Sequence, residues 1–178
     1  MSSHRASVRY AKALIEISQE QNCLENVKED MQLFTKVISE NRELAVVLKN
    51  PIVPAFKKKA ILKALFEKRI QTITFKAFEL IISKNRENIL DEIAVQFVAQ
   101  YNLIKGIVVA NVTTPYTLDI SQKGDISKLV ESITQKKVEL EEVVDDSLIG
   151  GFVLKIGDKQ IDESVKSKLA KIQRALVA

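Results

Sequence analysis

Glycine is absent from the first 105 residues of this chain. All five glycines stand later, at positions 106, 124, 150, 151 and 157. A stretch of this length without glycine, in which apolar residues recur every three to four positions, is typical of packed α-helices. The remaining residues combine glycines with runs of β-branched side chains, which favour strands. The distribution therefore predicts two domains, a helical one over residues 1–105 and a smaller mixed one over 106–178, with the boundary at Lys105–Gly106.

Apolar periodicity divides the first domain into six helices, which we expect to begin near residues 3, 23, 42, 54, 71 and 87. The third must end at Asn50, because Pro51 disfavours the helical conformation in the residue before it. In the fourth helix, the spacing indicates that Ala60, Ile61, Leu65 and Phe66 are buried. The expected fold class is α+β, with an N-terminal six-helix bundle followed by the smaller domain.

The first predicted helix carries two neighbouring stripes, and the fifth carries apolar residues on two opposite faces. On the first, one stripe is Ala6, Tyr10, Ala13 and Ile17, and its neighbour is Ala11, Leu14, Ile15 and Ser18. On the fifth, the two faces are Ile73, Ala77, Leu80, Ile81 and Lys84 against Phe75, Phe78 and Ile82. A helix that is apolar most of the way round is normally buried on all sides. For the fifth helix, the pattern alone favours burial on all sides over an arrangement in which one face meets a second protein.

The second domain has the predicted order β-α-β-β-α. We expect strands at 107–113, at 138–144 and at 148–156, with helices at 121–135 and from about Asp162 onward. Asp145, Asp146 and Ser147 form the predicted turn between the second and third strands. The pair Gly150–Gly151 interrupts the third strand, which indicates a bulge or a close approach of another backbone segment.

Residues suited to catalysis are scarce. The chain has one histidine, His4, one cysteine, Cys23, and no tryptophan. It contains neither a phosphate-binding G-x-x-x-x-G-K-[ST] loop nor a G-x-G-x-x-G turn. We expect His4 to be solvated and Cys23 to lie half-buried at a helix start, since neither has a partner arranged for general-base or nucleophilic chemistry. The sequence therefore predicts no catalytic, cofactor-binding or metal-binding residues, and no cofactor.

Composition and charge leave two classes of binding protein open. The 46% hydrophobic and 28% charged residues are those of an ordinary globular protein. No apolar run reaches the roughly 18 to 20 residues needed to cross a bilayer. Residues 1–105 hold 17 basic and 12 acidic side chains, including the run Lys57–Lys59 and then Lys63. A nucleic-acid-binding protein would gather these lysines in one groove, whereas dispersed lysines favour a structural or interaction protein.

Residues 138–157 resemble a signature of the delta subunit family of bacterial F-type ATP synthases, which is related to the mitochondrial oligomycin-sensitivity-conferring protein. The matching positions are Val138, Leu140, Val144, Asp145, Leu148, Gly150, Gly151, Phe152, Leu154, Lys155 and Gly157. The family's next element, D-x-S-[VI], corresponds to Asp162-Glu163-Ser164-Val165. Its first-helix motif is similar to Arg9-Tyr10-Ala11-Lys12-Ala13-Leu14, and Asn50–Pro51 and Asn85–Arg86 also stand where the family has them.

This resemblance implies a non-catalytic stator subunit that links the catalytic head to the peripheral stalk and resists the torque of the rotor. The helical domain would bind the N-terminal segment of an alpha subunit, and the second domain the C-terminal end of the subunit b dimer. The expected location is the cytoplasmic face of the bacterial inner membrane, through these partners. The resemblance assigns the alpha segment to a groove between the first and fifth helices. Its implied binding residues are Tyr10, Ala13, Val27, Ala77 and Leu80.

Overall fold

A computed structural model describes residues 3–177, and for positions 172 and 174–177 only the backbone. Six α-helices come first, each beginning within three residues of its predicted start. They are α1 (Ser3–Glu20), α2 (Leu24–Glu40), α3 (Arg42–Lys49), α4 (Ala55–Phe66), α5 (Thr72–Ser83) and α6 (Leu90–Lys105). A 3-10 turn at Glu87–Ile89 leads into α6. As expected, α3 stops before Asn50, whose backbone is extended ahead of Pro51.

Three phenylalanines from α2, α4 and α5 meet in the core of the helical unit. The Phe34 ring lies 5.3 Å from that of Phe66 and 4.7 Å from that of Phe78, both in tilted arrangements. Such tilted pairs add to the free energy of burial because ring edges meet ring faces. Phe97 of α6 is likewise fully buried. The helices thus share one aromatic centre drawn from segments distant in sequence.

The buried face of α4 differs from the prediction. Ala60 is exposed and Leu65 is 43% exposed, so their predicted burial was wrong. The buried residues are Lys58, Leu62 and Phe66, spaced four apart. Of these three, the prediction included only Phe66, because a pattern drawn from apolar residues omits a lysine. Lys58 has partners that allow its amine to be buried.

The described part of the second unit, residues 102–177, contains four strands rather than the three predicted. Its elements are β1 (Ile107–Thr114), α7 (Ile120–Thr134), β2 (Lys137–Val144), β3 (Val153–Ile156), β4 (Lys159–Asp162) and α8 (Val165–Val177). Strand β3 begins five residues after the predicted start of the third strand. Gly157, with a φ of +56°, then turns the chain into the additional strand β4. Its order is therefore β-α-β-β-β-α, and α8 begins three residues after the predicted start.

The sheet of the second unit has the strand order β2-β1-β3-β4. β1 pairs in parallel with β2 and antiparallel with β3, and β3 pairs antiparallel with β4. Its core consists of Ala110, Val112, Ile126, Val130 and Leu154. α7 starts with a capping box, in which Asp119 accepts from the Gln122 amide and the Gln122 side chain accepts from the Asp119 amide.

The chain divides into two compact units between Tyr101 and Asn102. The boundary expected from the glycine distribution, Lys105–Gly106, lies four residues further on, at the end of α6. The final turn of this helix leads directly into β1 and is grouped with the sheet. That each part folds without the other stays a prediction.

Candidate functional site

One face of α1 is left partly uncovered by the core. The stripe Ala11, Leu14, Ile15 and Ser18 is buried. On the neighbouring stripe Ala6 is buried, Tyr10 is half-buried, Ala13 is exposed and Ile17 is 44% exposed. Small and apolar side chains on an uncovered helical stripe are what a groove for an incoming helix requires.

The fifth helix shows the same division between a core face and an uncovered face. Thr74, Phe78, Ile81 and Ile82 are buried. Ala77 is half-buried and Leu80 is 54% exposed, so burial of the helix on all sides is ruled out. Ile81 was grouped with these two residues by sequence, but it is only 3% exposed and belongs to the core.

A contact between Tyr10 and Arg86 brings the end of α5 beside α1. The Arg86 guanidinium carbon lies 5.8 Å from the centre of the Tyr10 ring, within the range of a cation–π interaction. A cleft of about 400 Å³ opens here, lined by Ala6, Arg9, Tyr10, Ala13 and Arg86. The cleft therefore includes two of the five implied binding residues. Leu80 and Ala77 lie on α5, six and nine residues before Arg86.

Asn85 fixes the position of Arg86. Asn85 adopts the left-handed conformation, with a φ of 54°. Its amide donates to the Ile82 carbonyl at 2.9 Å, and the Arg86 amide donates to the Ile81 carbonyl at 3.1 Å. These two bonds form a Schellman motif, which ends α5 and turns the chain sharply. The matched pair Asn85–Arg86 thus has a local structural role at the edge of the cleft.

Val27, the remaining implied binding residue, is completely buried. It belongs to the core stripe of α2 together with Met31 and Phe34. In this conformation it has no surface to offer a partner, so any effect it has on the groove passes through packing.

Asp30, a residue that the sequence analysis missed, anchors the start of α5 from α2. Its Oδ2 atom accepts hydrogen bonds from the Gln71 amide at 2.8 Å and from the Thr74 hydroxyl at 2.5 Å. Burial raises the pKa of this carboxyl, although the bonds from Thr74 and Gln71 oppose the shift. Asp30 stands three residues after Val27 and so lies on the apolar stripe of α2. A carboxylate on an apolar stripe was the sequence feature that could have indicated a buried polar contact.

The basic run on α4 is dispersed rather than gathered. The Lys58 amine is buried, 2.7 Å from Glu87 Oε1 and 2.9 Å from the Leu48 carbonyl oxygen at the end of α3. Lys59 pairs with Glu79 at 3.0 Å on α5. A phosphate backbone requires cations that share one accessible face, and these two lysines are already paired with acids on other elements.

The signature residues of the second unit join the approach to β3 to the start of α8. The Gly150 carbonyl accepts from the Val165 amide at 2.9 Å, and the Phe152 carbonyl accepts from the Glu163 amide at 3.0 Å. Gly151 has a φ of +78°, and a Cβ atom on it would lie 2.3 Å from the Glu163 carbonyl oxygen. The predicted close backbone approach is confirmed, but the glycines precede the strand and do not form a bulge within it.

Asp162 and Ser164 organise the first turn of α8. Asp162 accepts from the Ser167 hydroxyl at 2.6 Å and from the Ser164 amide at 2.9 Å, while the Ser164 hydroxyl accepts from the Ser167 amide at 3.2 Å. These hydrogen bonds, that from Ser167 foremost, lower the pKa of Asp162 to about 2. Ser164 therefore acts as the N-cap of the helix.

The remaining signature residues are mostly packing and turn positions. Leu154 is buried, Val138, Leu140, Leu148 and Phe152 are half-buried, and Val144 is 47% exposed. Asp145 accepts from the Ser147 amide at 2.9 Å in the predicted turn. Lys155 is exposed on β3. The signature residues thus define the packing and the turns of the second unit.

His4 and Cys23 lie apart from any cluster that suggests chemistry. His4 is exposed, and Cys23 is a half-buried residue at the start of α2, as expected. Within residues 3–177, no group of three or more His, Cys, Asp or Glu side chains is arranged to hold a metal ion. In the same range no helix has both the length and the apolar character needed to span a membrane.

Comparison with known proteins gives a consistent result over nearly the whole chain. The family model described as ATP synthase delta (OSCP) subunit matches residues 6–176. The ATP synthase subunit delta of Cytophaga hutchinsonii is 40% identical over 173 residues, which cover 97% of this chain and 94% of that protein. That of Desulforamulus reducens is 41% identical over 170 residues, covering 96% and 94%.

A solved structure shares the fold. A chain in the cryo-EM structure of the Toxoplasma gondii mitochondrial ATP synthase hexamer superposes with a TM-score of 0.72 at 22% identity, over 97% of each chain. The family match, the full-length relatives and this fold agree with one another. The chain therefore belongs to the ATP synthase delta (OSCP) subunit family.

Proposed function

We propose that this chain links the catalytic head of an F-type ATP synthase to the subunit b peripheral stalk and resists the torque of the rotor. The observation that carries this function is the family match over residues 6–176. As a family member the chain is a structural stator subunit of the synthase, not an enzyme. A stator needs two binding surfaces and a rigid body between its ligands, and it needs no reacting group.

The helical unit binds the N-terminal segment of an alpha subunit. Support comes from the uncovered stripes of α1 and α5, which present Tyr10, Ala13, Ala77 and Leu80. An amphipathic helix would lay its apolar face along these stripes, with the alanines allowing close backbone approach. In this proposal Val27 supports the groove from the core and does not touch the segment.

The second unit binds the C-terminal end of the subunit b dimer. It exposes apolar side chains that its own core leaves uncovered, among them Leu129 and Ile133, one turn apart on α7 and 42% and 49% exposed. Through these two partners the chain is held at the cytoplasmic face of the bacterial inner membrane. The rival function, nucleic-acid binding, loses its basis because Lys58 is buried and Lys59 is paired.

The groove is tested by placing a charge in it. Ala13→Arg and Ala77→Arg should each abolish binding of a synthetic peptide corresponding to the alpha N-terminal segment, while the circular dichroism spectrum stays helical. An arginine there fills the trough and places an unpaired charge in an apolar interface, at a cost on the order of 3–5 kcal/mol. Ala60→Arg is the matched control, because Ala60 is exposed on α4 outside the proposed groove.

The outcomes separate a surface role from a core role. Folded variants that bind the peptide as tightly as the unchanged chain and Ala60→Arg would contradict the groove. Unfolding by Ala13→Arg would contradict the exposed position of Ala13. Calorimetric titration together with circular dichroism measures both properties on one sample.

A further inference from the structure

The cleft beside Tyr10 carries positive charge that no described carboxylate balances. Arg9 and Arg86 both line it and are both exposed. Neither forms an ion pair with any residue that the structure describes. Other cations of the same unit do have acidic partners, such as Lys49 with Asp91 at 2.6 Å. The two guanidinium groups are therefore available to an outside anion.

The position of Arg86 is set before any ligand arrives. The Schellman motif at Asn85 fixes its backbone, and the Tyr10 ring lies under its guanidinium at 5.8 Å. A guanidinium that is already oriented loses less conformational freedom when it binds. Its planar arrangement of N–H donors matches the two oxygens of a carboxylate. The geometry thus favours a carboxylate group over a diffuse negative surface.

The apolar residues beside the cleft indicate what kind of molecule would carry that carboxylate. Ala6 and Ala13 form its apolar lining, and the uncovered stripe of α1 continues from there to Ile17, which is 44% exposed. A nucleic acid would need a row of cations in place of this apolar continuation. An amphipathic helix with an acidic residue beside its apolar face satisfies both parts of the surface.

We propose that Arg9 and Arg86 form a carboxylate-binding subsite that receives an Asp or Glu side chain of the docked alpha segment. This inference rests on the proposed groove and adds the chemistry of its ligand. The pairing fixes the register of the segment, because sliding it by one helical turn would move its carboxylate away from the two arginines. The apolar stripes supply burial, and the subsite selects segments with an acid at this position.

The test is a double-mutant cycle between the chain and the synthetic alpha peptide. Arg9→Gln and Arg86→Gln should each weaken binding by roughly five- to tenfold at low salt and reduce its salt dependence. A peptide in which the facing Asp or Glu is replaced by its amide should lose at least this factor against the unchanged chain. Against a chain that carries both arginine substitutions it should lose almost nothing more. Lys128→Gln, which alters an exposed lysine on α7, controls for net charge.

The outcomes distinguish failure of the arginine subsite from failure of the groove. Coupled losses in the cycle support the subsite. Arginine variants that bind as tightly as Lys128→Gln would overturn it while leaving the groove intact, as would an alpha segment that has no acidic residue. Failure of the unchanged chain to bind the peptide would instead overturn the proposed groove, and the subsite with it. Circular dichroism of each variant confirms that the helical unit is folded.

Discussion

Asp30 shows how one polar side chain holds the start of a neighbouring helix in place. It satisfies the Gln71 amide and the Thr74 hydroxyl at the start of α5 from a buried position on α2. Helix N-termini leave amides without intrahelical partners, and here the cap comes from another helix instead of the preceding residue. Because α5 also presents Ala77 and Leu80, this carboxyl connects the core to the proposed groove.

Removing the Asp30 carboxyl should destabilise the helical unit. Asp30→Ala leaves the Gln71 amide and the buried Thr74 hydroxyl without an acceptor, so we expect a loss of about 1–3 kcal/mol in the free energy of unfolding. Asp30→Asn keeps one acceptor oxygen and should lose less. Urea unfolding at neutral pH compares the three proteins, and an Ala variant as stable as the unchanged chain would show that the bonds contribute nothing.

The raised pKa of Asp30 fixes the sign of a pH effect. The folded state holds the Asp30 proton more tightly than the unfolded state does. The contribution of this proton to the free energy of unfolding is therefore fully present below the unfolded pKa, near 3.8. It is lost as the pH rises through the raised pKa. The stability of the unchanged chain relative to Asp30→Asn should therefore fall as the pH rises from about 3 to 7. An increase over that range, measured by urea unfolding, would contradict the assignment.

The pKa of Asp162 is shifted in the opposite direction to that of Asp30, and hydrogen bonds cause the shift instead of burial. Its pKa is lowered to about 2 chiefly by the Ser167 hydroxyl, so its contribution is fully present above the unfolded value of 3.8 and is lost as the pH falls towards about 2. Ser167→Ala should raise the pKa of Asp162 towards its ordinary value. Carboxyl-carbon NMR titration measures the shift directly, and an unchanged pKa would exclude Ser167 as the main cause.

At the scale of elements, the signature glycines act through backbone contact. Gly151→Ala should destabilise the second unit by about 2–4 kcal/mol, because alanine is strained at a φ of +78° and its Cβ would collide with the Glu163 carbonyl. Gly124→Ala is the matched control. It lies within α7 with nothing within 4 Å of its Cβ, and it should gain about 0.5–1 kcal/mol. Thermal unfolding measures both, and equal stability of the two variants would refute the close approach.

Most elements were predictable because local rules place them. The glycine-free stretch, the break at Pro51 and the stripes of α1 all correspond to the structure. The predicted third strand started too early because Leu148 and Ile149 are apolar and extend the apparent strand, whereas the chain there turns and packs Gly151 against Glu163. The fourth strand was missed altogether. The β3–β4 hairpin depends on Gly157, which was noted only as part of the signature.

Buried polar residues could not be predicted from the sequence pattern. Lys58 and Asp30 occupy apolar stripes, and their partners Glu87 and Thr74 are 29 and 44 positions away. Periodicity cannot predict such pairs, since it does not say which segments meet. The same limit applies to the candidate site. Tyr10 and Ala13 were placed by resemblance, but the contact of Tyr10 with Arg86 appears only once the chain is folded.

At the scale of the whole molecule, the two units should fold independently. We expect residues 1–105 alone to give a cooperative, highly helical thermal transition, because the aromatic core of Phe34, Phe66 and Phe78 lies entirely within that range. Circular dichroism during heating tests this. A fragment without a cooperative transition would mean that the helical unit depends on the sheet unit for its stability.

The proposed stator role requires one chain to hold two partners at the same time. Native mass spectrometry of the chain mixed with the alpha N-terminal peptide and the C-terminal part of subunit b measures this directly. We expect a ternary complex containing the peptide and the b dimer, from which Ala13→Arg removes the peptide and leaves the b dimer bound. Mutually exclusive binding of the two partners, or loss of both from the Ala13→Arg variant while it remains folded, would contradict it.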